Sequence, residues 1–399
     1  FDARYTYHLN TKVICSDKVV DEQDIAFAFR DIEFHSGRGF LLNNRRVLLV
    51  GAIISTDPAG LGTAIPAQLW RYRLQKIRDL GFNAVMCKDF PASPQMLSVC
   101  DDIGLLVIDC TGIAGISNSD LYNFRSLVAR DGNHPSLMLW GLDVPQALCS
   151  NPRGHDFLQI GSQRARQIDP WHKTFCANTA GNSLEGAADV NGANIGRLGE
   201  LDSQHSAHPD EFIIGMNAPA TSEMFDYFEG KKNLGGFFID ESCLFDGNSN
   251  PMPGALFIQT RAWARPVVQV CGLSDQSVRV YSNCDEVDVV IGNKPLARRR
   301  VSREGYADFT VSGRWSNLIA RAYKRGGVAA TSKFTKPGPV PVIIASKLKM
   351  NADGTAIVNA ITGKIKSRKS AEYGISLLSG ILSAALVNNT IAIITTAPM

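Results

Sequence analysis

The chain has no run of 18 or more consecutive apolar residues, so nothing in it reads as a membrane-spanning helix. It has no secretory leader pattern, and it starts at Phe1 rather than Met, which reads as a piece of a longer protein. The compartment is left open by this: soluble, and periplasmic, extracellular or cytoplasmic. Nine cysteines, at 15, 87, 100, 110, 149, 176, 243, 271 and 284, form no C-x-x-C pair, which excludes the usual zinc and redox motifs. Their odd number, and the apolar runs around several of them, predict reduced thiols acting as small hydrophobes. No G-x-G-x-x-G follows the first buried strand and no P-loop is present, so nucleotide binding has no support. No His and carboxylate spacing suits a metal, and Ser55 and Ser242 have no evident His partner for a nucleophilic triad. No cofactor is expected. Lysine and arginine number 41 against 38 acids, a net charge of +3, and no dense basic face is interleaved with aromatics. Arg298-Arg299-Arg300 reads as a solvated strand end or hairpin, so a nucleic-acid partner is not expected.

What is present is an ordinary globular composition, 45% hydrophobic and 20% charged, over 399 residues. That length predicts two to four domains. Residues 1–34 alternate apolar and polar, through Tyr5, Tyr7, Leu9 and Val13 and later Ile25, Phe27 and Phe29. A period of two predicts half-buried strands, here the C-terminal part of an immunoglobulin-like β-sandwich. Over residues 35–265 the pattern becomes strand and helix in turn. A turn at Asn43-Asn44 precedes a buried strand at 47–53, and Pro66 opens an amphipathic helix that Gly81 stops. Strands are then predicted at 83–87, 105–109, 135–142, 174–176, 188–190, 211–216 and 235–239, with helices at 93–103 and about 120–130. Eight strands at this spacing predict a (β/α)8 TIM barrel. From Pro266 strict alternation returns with Gly292-Asn293 and Gly326-Gly327 turns, predicting an accessory β-sandwich over 266–340. KPGPVP, residues 336–341, reads as a stiff linker, and 341–399 as a partial second β-sandwich.

The segment that organises the barrel is GNHPSLMLWGLDVP, residues 132–145. Its apolar run Leu137-Met138-Leu139-Trp140 reads as a buried parallel strand, and Gly141 to Pro145 should lie at that strand's carboxyl end. In a barrel of this kind chemistry sits at that end. His134 falls at the opposite, amino-terminal end and is expected to be a structural hydrogen-bonding group. With FLLNNRRVLLVGA, WRYRLQKIRDLGFNAV, SPQMLSVCDDIGLLVID and ARDGNHPSLMLWGL in this order, the chain resembles glycoside hydrolase family 2, over roughly residues 20–335. The family includes β-galactosidases, β-glucuronidases and β-mannosidases. The resemblance implies a sandwich, barrel, sandwich order and a retaining double displacement on β-glycosides. Carbohydrate is then the expected partner class.

Such a reaction needs two carboxyls about 5–5.5 Å apart, one an acid/base and one a nucleophile. The resemblance implies a Glu after an Asn at the end of strand four, where this chain has Val144 and Pro145. It implies a nucleophilic Glu just past strand seven, where this chain has Asn217. Proline cannot carry a proton to a leaving oxygen, and an amide has no charge with which to attack. Sugar-binding positions after strands one, two and eight are likewise replaced, within Ile54 to Asp57, at Met86 and Asp89-Phe90, and around Asp240-Glu241. Groups matching the family remain at Asp109, Trp140 and Asn194; each has a plain alternative, as a cap, a core residue or a loop stabiliser. Asp57 is a candidate for binding sugar hydroxyls or a solvated loop acid. Asp143, Asp240 and Glu241 are candidate substitute carboxyls expected to point into the barrel mouth, or else solvated charges. Three readings stay open: a carbohydrate-binding or supporting pseudoenzyme, an active hydrolase using displaced carboxylates, or a decayed chain without function.

Overall fold

The computed structural model describes residues 6–55, 65–112, 116–143, 151–177, 187–195, 198–246, 250–274, 276–292, 294–311 and 315–335. Ser16 and Asp17 both take positive φ, 48° and 61°, the turn chemistry that lets strands β1 (Tyr7–Cys15) and β2 (Lys18–Phe27) fold back as an antiparallel hairpin. Tyr7 pairs with Phe27, Leu9 with Ile25 and Val13 with Asp21, which collects the apolar side chains on one face. His8 with Asp24 and Asn10 with Glu22 occupy the other. Every residue of β1 is exposed.

Asn43 and Asn44, φ 50° and 61°, make the predicted turn between β4 (Gly39–Leu42) and β5 (Arg45–Arg46), and β3 (Ile32–His35) pairs on the other side of β4. Ile32, Phe34 and Leu42 pack against the barrel core. The boundary expected at residue 34 therefore falls inside β3, a strand whose side chains belong to the barrel.

The barrel runs β6 (Leu49–Ile54), α1 (Ala67–Asp79), β7 (Ala84–Cys87), α2 (Pro94–Ile103), β8 (Leu106–Gly112), α3 (Asn118–Asp131), β9 (Leu137–Asp143), α4 (Pro152–Ile168), β10 (Lys173–Cys176), β11 (Val190–Asn194), α5 (Leu198–Ala207), β12 (Phe212–Met216), α6 (Ser222–Gly230), β13 (Leu234–Asp240) and α7 (Pro253–Ala262). Neighbouring strands are parallel, and β13 pairs with β6 to close the cylinder. The helices begin and end for local reasons. The Ser93 side chain accepts from the Met96 N–H ahead of α2, and Gly104 at φ 74° stops that helix. Ser117 and Asp120 cap α3 reciprocally. Strand six, predicted at 188–190, lies further along, at β11, because Asp189 turns back to the β10 segment: its Oδ2 accepts from the Thr174 N–H and Oγ1.

Strand alternation divides the core in two. Leu49, Ile53, Ala84, Met86, Ile108, Cys110, Phe175, Ile214, Met216 and Phe238 fill the cylinder. Leu137, Trp140 and Leu142 point the other way and pack with Leu121, Phe124, Phe157 and Leu158 beneath α3 and α4.

Beyond α7, β14 (Val268–Ser274), β15 (Ser277–Ser282) and β19 (Tyr306–Thr310) form one antiparallel sheet. β16 (Glu286–Ile291), β17 (Lys294–Pro295), β18 (Arg299–Arg300), β20 (Asn317–Lys324) and β21 (Gly327–Thr335) form a second. Val268, Val278, Val280, Val287, Val289, Phe309, Leu318 and Ala320 make one core between them. The linker and the module expected after residue 340 lie outside the described residues.

Candidate active site

The strands' carboxyl ends surround a floor of small and apolar side chains. Met86 and Cys110 are fully buried, and Ala177 and Met216 nearly so. Gly141 belongs to the same layer: a Cβ there would lie 2.1 Å from Cys110 Sγ, so only glycine leaves room for that thiol. A sugar pocket needs convergent polar groups. Among the described residues polarity is confined to the rim.

At the rim, β11 and β12 bring two of the predicted residues together. Asn217 Nδ2 donates to Asn194 Oδ1 at 2.6 Å. Asn217 sits at φ 53°, a left-handed conformation that asparagine tolerates better than most residues. The pair is neutral; it can orient a hydroxyl but holds no negative charge.

Two of the three predicted substitute carboxyls, Asp240 and Glu241, are committed to neighbouring partners. Asp240 ends β13, and its Oδ1 accepts from the Ser242 N–H at 2.9 Å and from its hydroxyl at 2.6 Å, capping the 3-10 turn Glu241–Cys243. Glu241 does not stand free in the mouth. It takes both Nε, at 2.5 Å, and Nη2 of Arg73 from α1, while Arg73 Nη1 donates to the Ser55 carbonyl at 2.9 Å. Asp143 is the last residue of β9, opposite Gly112 in the register. Its side chain lies outside the described residues, as do Asp57 and Pro145.

Two predicted binding residues are corrected by the strand alternation. Asp109 and Trp140 are neighbours in the β8–β9 register, and both point outward, because Cys110 and Gly141 take the inward positions. Trp140 is fully buried, and its Nε1 donates to Asp169 Oδ2 at 2.9 Å. Asp109 is also fully buried; Oδ1 accepts from the Ala92 N–H at 2.8 Å. Burial pushes its carboxyl well above the usual range; the Ala92 N–H acts against that and the adjacent Asp131 adds to it. Neither residue reaches the mouth. His134, as expected, is structural: Nδ1 pairs with Asp101 Oδ2 at 2.7 Å, and Asp101 Oδ1 accepts from the Ser136 N–H. Among the described residues no group of three or more His, Cys, Asp or Glu is placed to hold a metal ion, and no helix is long and apolar enough to cross a membrane.

The family profile for the glycosyl hydrolases family 2 TIM barrel domain matches residues 33–123, from β3 into α3. Over its barrel segment the chain is similar to glycoside hydrolase family 2. A β-galactosidase from Bacteroides ovatus is 28% identical over 153 residues, 35% of this chain and 18% of its own length. A solved family 2 member from Bacteroides cellulosilyticus superposes with a TM-score of 0.69 at 24% identity, covering 85% of this chain and 53% of that one. A β-glucuronidase from Bacteroides uniformis gives 0.67 at 17% identity, covering 82% and 50%. The chain thus spans about half the length of these solved structures, and its matched stretches about a fifth of the curated relatives. The profile match covers β6 to β8, the part that carries Asp109 but neither Asn217 nor Glu241.

One site residue escaped the sequence reading. Arg73 lies on the face of α1 that buries Trp70, Leu74 and Ile77. A charge on a buried helical face was the available signal, since it requires a partner.

Proposed function

We propose that this family 2 barrel does not hydrolyse glycosides and that its remaining role is to bind β-linked carbohydrate at the carboxyl face. The observation that carries the reading is Asn217. It occupies the position that the resemblance assigns to the nucleophile, and its amide is hydrogen-bonded to Asn194. Pro145 at the acid/base position supports it, and so do the local partners of Asp240 and Glu241. Without a proton donor and an anionic nucleophile, neither half of a double displacement proceeds. Residues 1–34 and 266–340 are read as immunoglobulin-like sandwich parts that support the barrel.

The test is turnover of aryl β-galactosides, β-glucuronides and β-mannosides, together with titration of β-linked oligosaccharides. No release above the uncatalysed rate is expected, with saturable oligosaccharide binding that weakens in Asn194→Ala. One observation favours a second reading, an active hydrolase with displaced carboxylates: Asp143 ends β9 at the carboxyl face. Turnover that disappears in Asp143→Asn or Glu241→Gln would establish that alternative.

A further inference from the structure

In the sheets after α7, Asp285, just ahead of β16, draws two basic runs to one corner. Its carbonyl accepts from the Val301 N–H at 3.1 Å, and its own N–H donates to the Tyr323 carbonyl at 3.0 Å. Its Oδ2 accepts from the Arg325 N–H at 2.9 Å. Arg298-Arg299-Arg300-Val301-Ser302-Arg303 and Lys324-Arg325, distant in sequence, thereby meet. Six cations stand in this corner against three acids, Asp285, Glu286 and Glu304. The excess equals the +3 of the whole chain, so the remainder of the sequence sums to neutral.

Each acid is already engaged. Glu286 Oε2 accepts from Arg298 Nη1 at 3.4 Å, Asp285 holds the Arg325 backbone, and Glu304 accepts from the Tyr306 hydroxyl. Arg299 turns inward. Its Nη1 donates to the Asp308 carbonyl at 2.6 Å and its guanidinium lies 5.2 Å from the Phe309 ring, which ties β18 to β19. The guanidinium groups of Arg300, Arg303 and Arg325 and the Lys324 ammonium are exposed, with no acid paired to them among the described residues. The turn at Arg325-Gly326 is a second sign. Both residues take positive φ, 52° and 82°, between β20 and β21. The comparable turns in this chain use Ser16-Asp17 and Asn43-Asn44. A long cation at a position that suits Asn, Asp or Gly costs conformational energy, and the turn itself gives no reason for it.

The rings decide what such a surface can take. Arg298 lies over the Tyr323 ring at 3.5 Å, and Arg279 over the Tyr306 ring at 3.7 Å. With these faces covered, a nucleobase finds no platform on which to stack. Guanidinium forks match carboxylates in bidentate geometry. We propose that this corner binds an acidic polysaccharide, a polymer whose charges are carboxylates, through Arg300, Arg303, Lys324 and Arg325. Arg300 is fixed on β18 opposite Glu286, and Arg303 sits in a turn that the Gly305 N–H closes onto the Ser302 carbonyl at 3.0 Å. The backbone is thus set in advance, and binding orders side chains alone. The barrel mouth takes no part.

Calorimetric titration of the full chain with polygalacturonate at low ionic strength tests this. Saturable binding is expected, weakening as salt rises. Arg300→Gln, Arg303→Gln and Arg325→Gly together should weaken it about tenfold or more. These side chains are exposed and glycine suits the turn, so the variant keeps its fold, which its unfolding temperature checks. Arg125→Gln, Arg153→Gln and Arg164→Gln remove the same charge from exposed positions on α3 and α4 and should leave the affinity unchanged. An absence of binding, or an equal loss in both triple variants, would overturn the proposal. So would tighter binding of dextran sulfate or a single-stranded oligonucleotide, or competition by neutral β-linked oligosaccharides, which would place the polymer in the barrel mouth.

Discussion

A carboxylate held on both oxygens by a buried guanidinium is a weaker base and nucleophile than a free one. Glu241 is held in this way, since Arg73 grips both oxygens, and the two side chains are 15% and 10% exposed. Breaking such a pair strands a buried charge. Glu241→Gln is therefore expected to cost about 3–5 kcal/mol in denaturant unfolding, with no change in a glycoside turnover already at background. Asp109 makes stability depend on pH. Its Oδ2 is buried without a hydrogen-bond partner other than the neighbouring acid, Asp131, a contact that is favourable only when a proton lies between them. The folded state raises this carboxyl. Its stabilising contribution is thus complete below the unfolded carboxyl range and declines as pH rises through the folded value. Asp109→Asn supplies the neutral form at every pH, keeps an acceptor for Ala92 and gains a donor for Asp131. Thermal unfolding from about pH 5 to 8 should show a flatter profile and a more stable variant at the alkaline end.

At the level of elements, barrel closure rests on how closely β13 approaches β6. Gly236 lies there at φ 143°, and a Cβ would fall 2.0 Å from the Leu49 carbonyl oxygen. Neither backbone can yield without opening the cylinder. Gly236→Ala is expected to lose about 3 kcal/mol or more, or to give no soluble protein, as read by urea unfolding and yield. The elements were legible in sequence wherever a local signal was strong: Asn43-Asn44 for a hairpin, Ser93 and Gly104 for the ends of α2, the apolar run at 137–140 for β9. The side that each strand residue faces was not. Trp140 and Asp109 stand at family-like positions, yet the face each presents depends on register. In the β8–β9 pair the register shifts between Val107 and Ile108, opposite Leu137 and Leu139, so Met138 enters without a partner. An irregularity of one residue decides whether a tryptophan lines the mouth or the helix layer, and composition does not reveal it. Partners distant in sequence were equally hidden. Arg73 and Glu241 lie 168 residues apart, and Arg30 and His172 lie 142 apart.

On the scale of the molecule, the barrel and the sheets after it are joined by hydrogen bonds as well as by apolar contact. Asn283 sits at the junction. Its Nδ2 donates to the carbonyls of Trp263 and Arg265, each at 2.8 Å, and its Oδ1 accepts from the Val267 N–H at 2.9 Å. One amide thereby ties down the five-residue link, Trp263 to Val267, between α7 and β14. Gly305 reinforces the seam, since a Cβ there would meet Thr260 Oγ1 of α7 at 2.9 Å. Removing the Asn283 amide leaves two carbonyls and one N–H to find water at a partly buried joint, a loss of about 1–3 kcal/mol. It also removes the hydrogen bonds that tie the start of β14 to the end of α7. Asn283→Ala is therefore expected to lower the unfolding temperature of the sheet domain more than that of the barrel, splitting one calorimetric transition into two. A single transition, shifted but undivided, would mean that α7 packing alone couples the two parts.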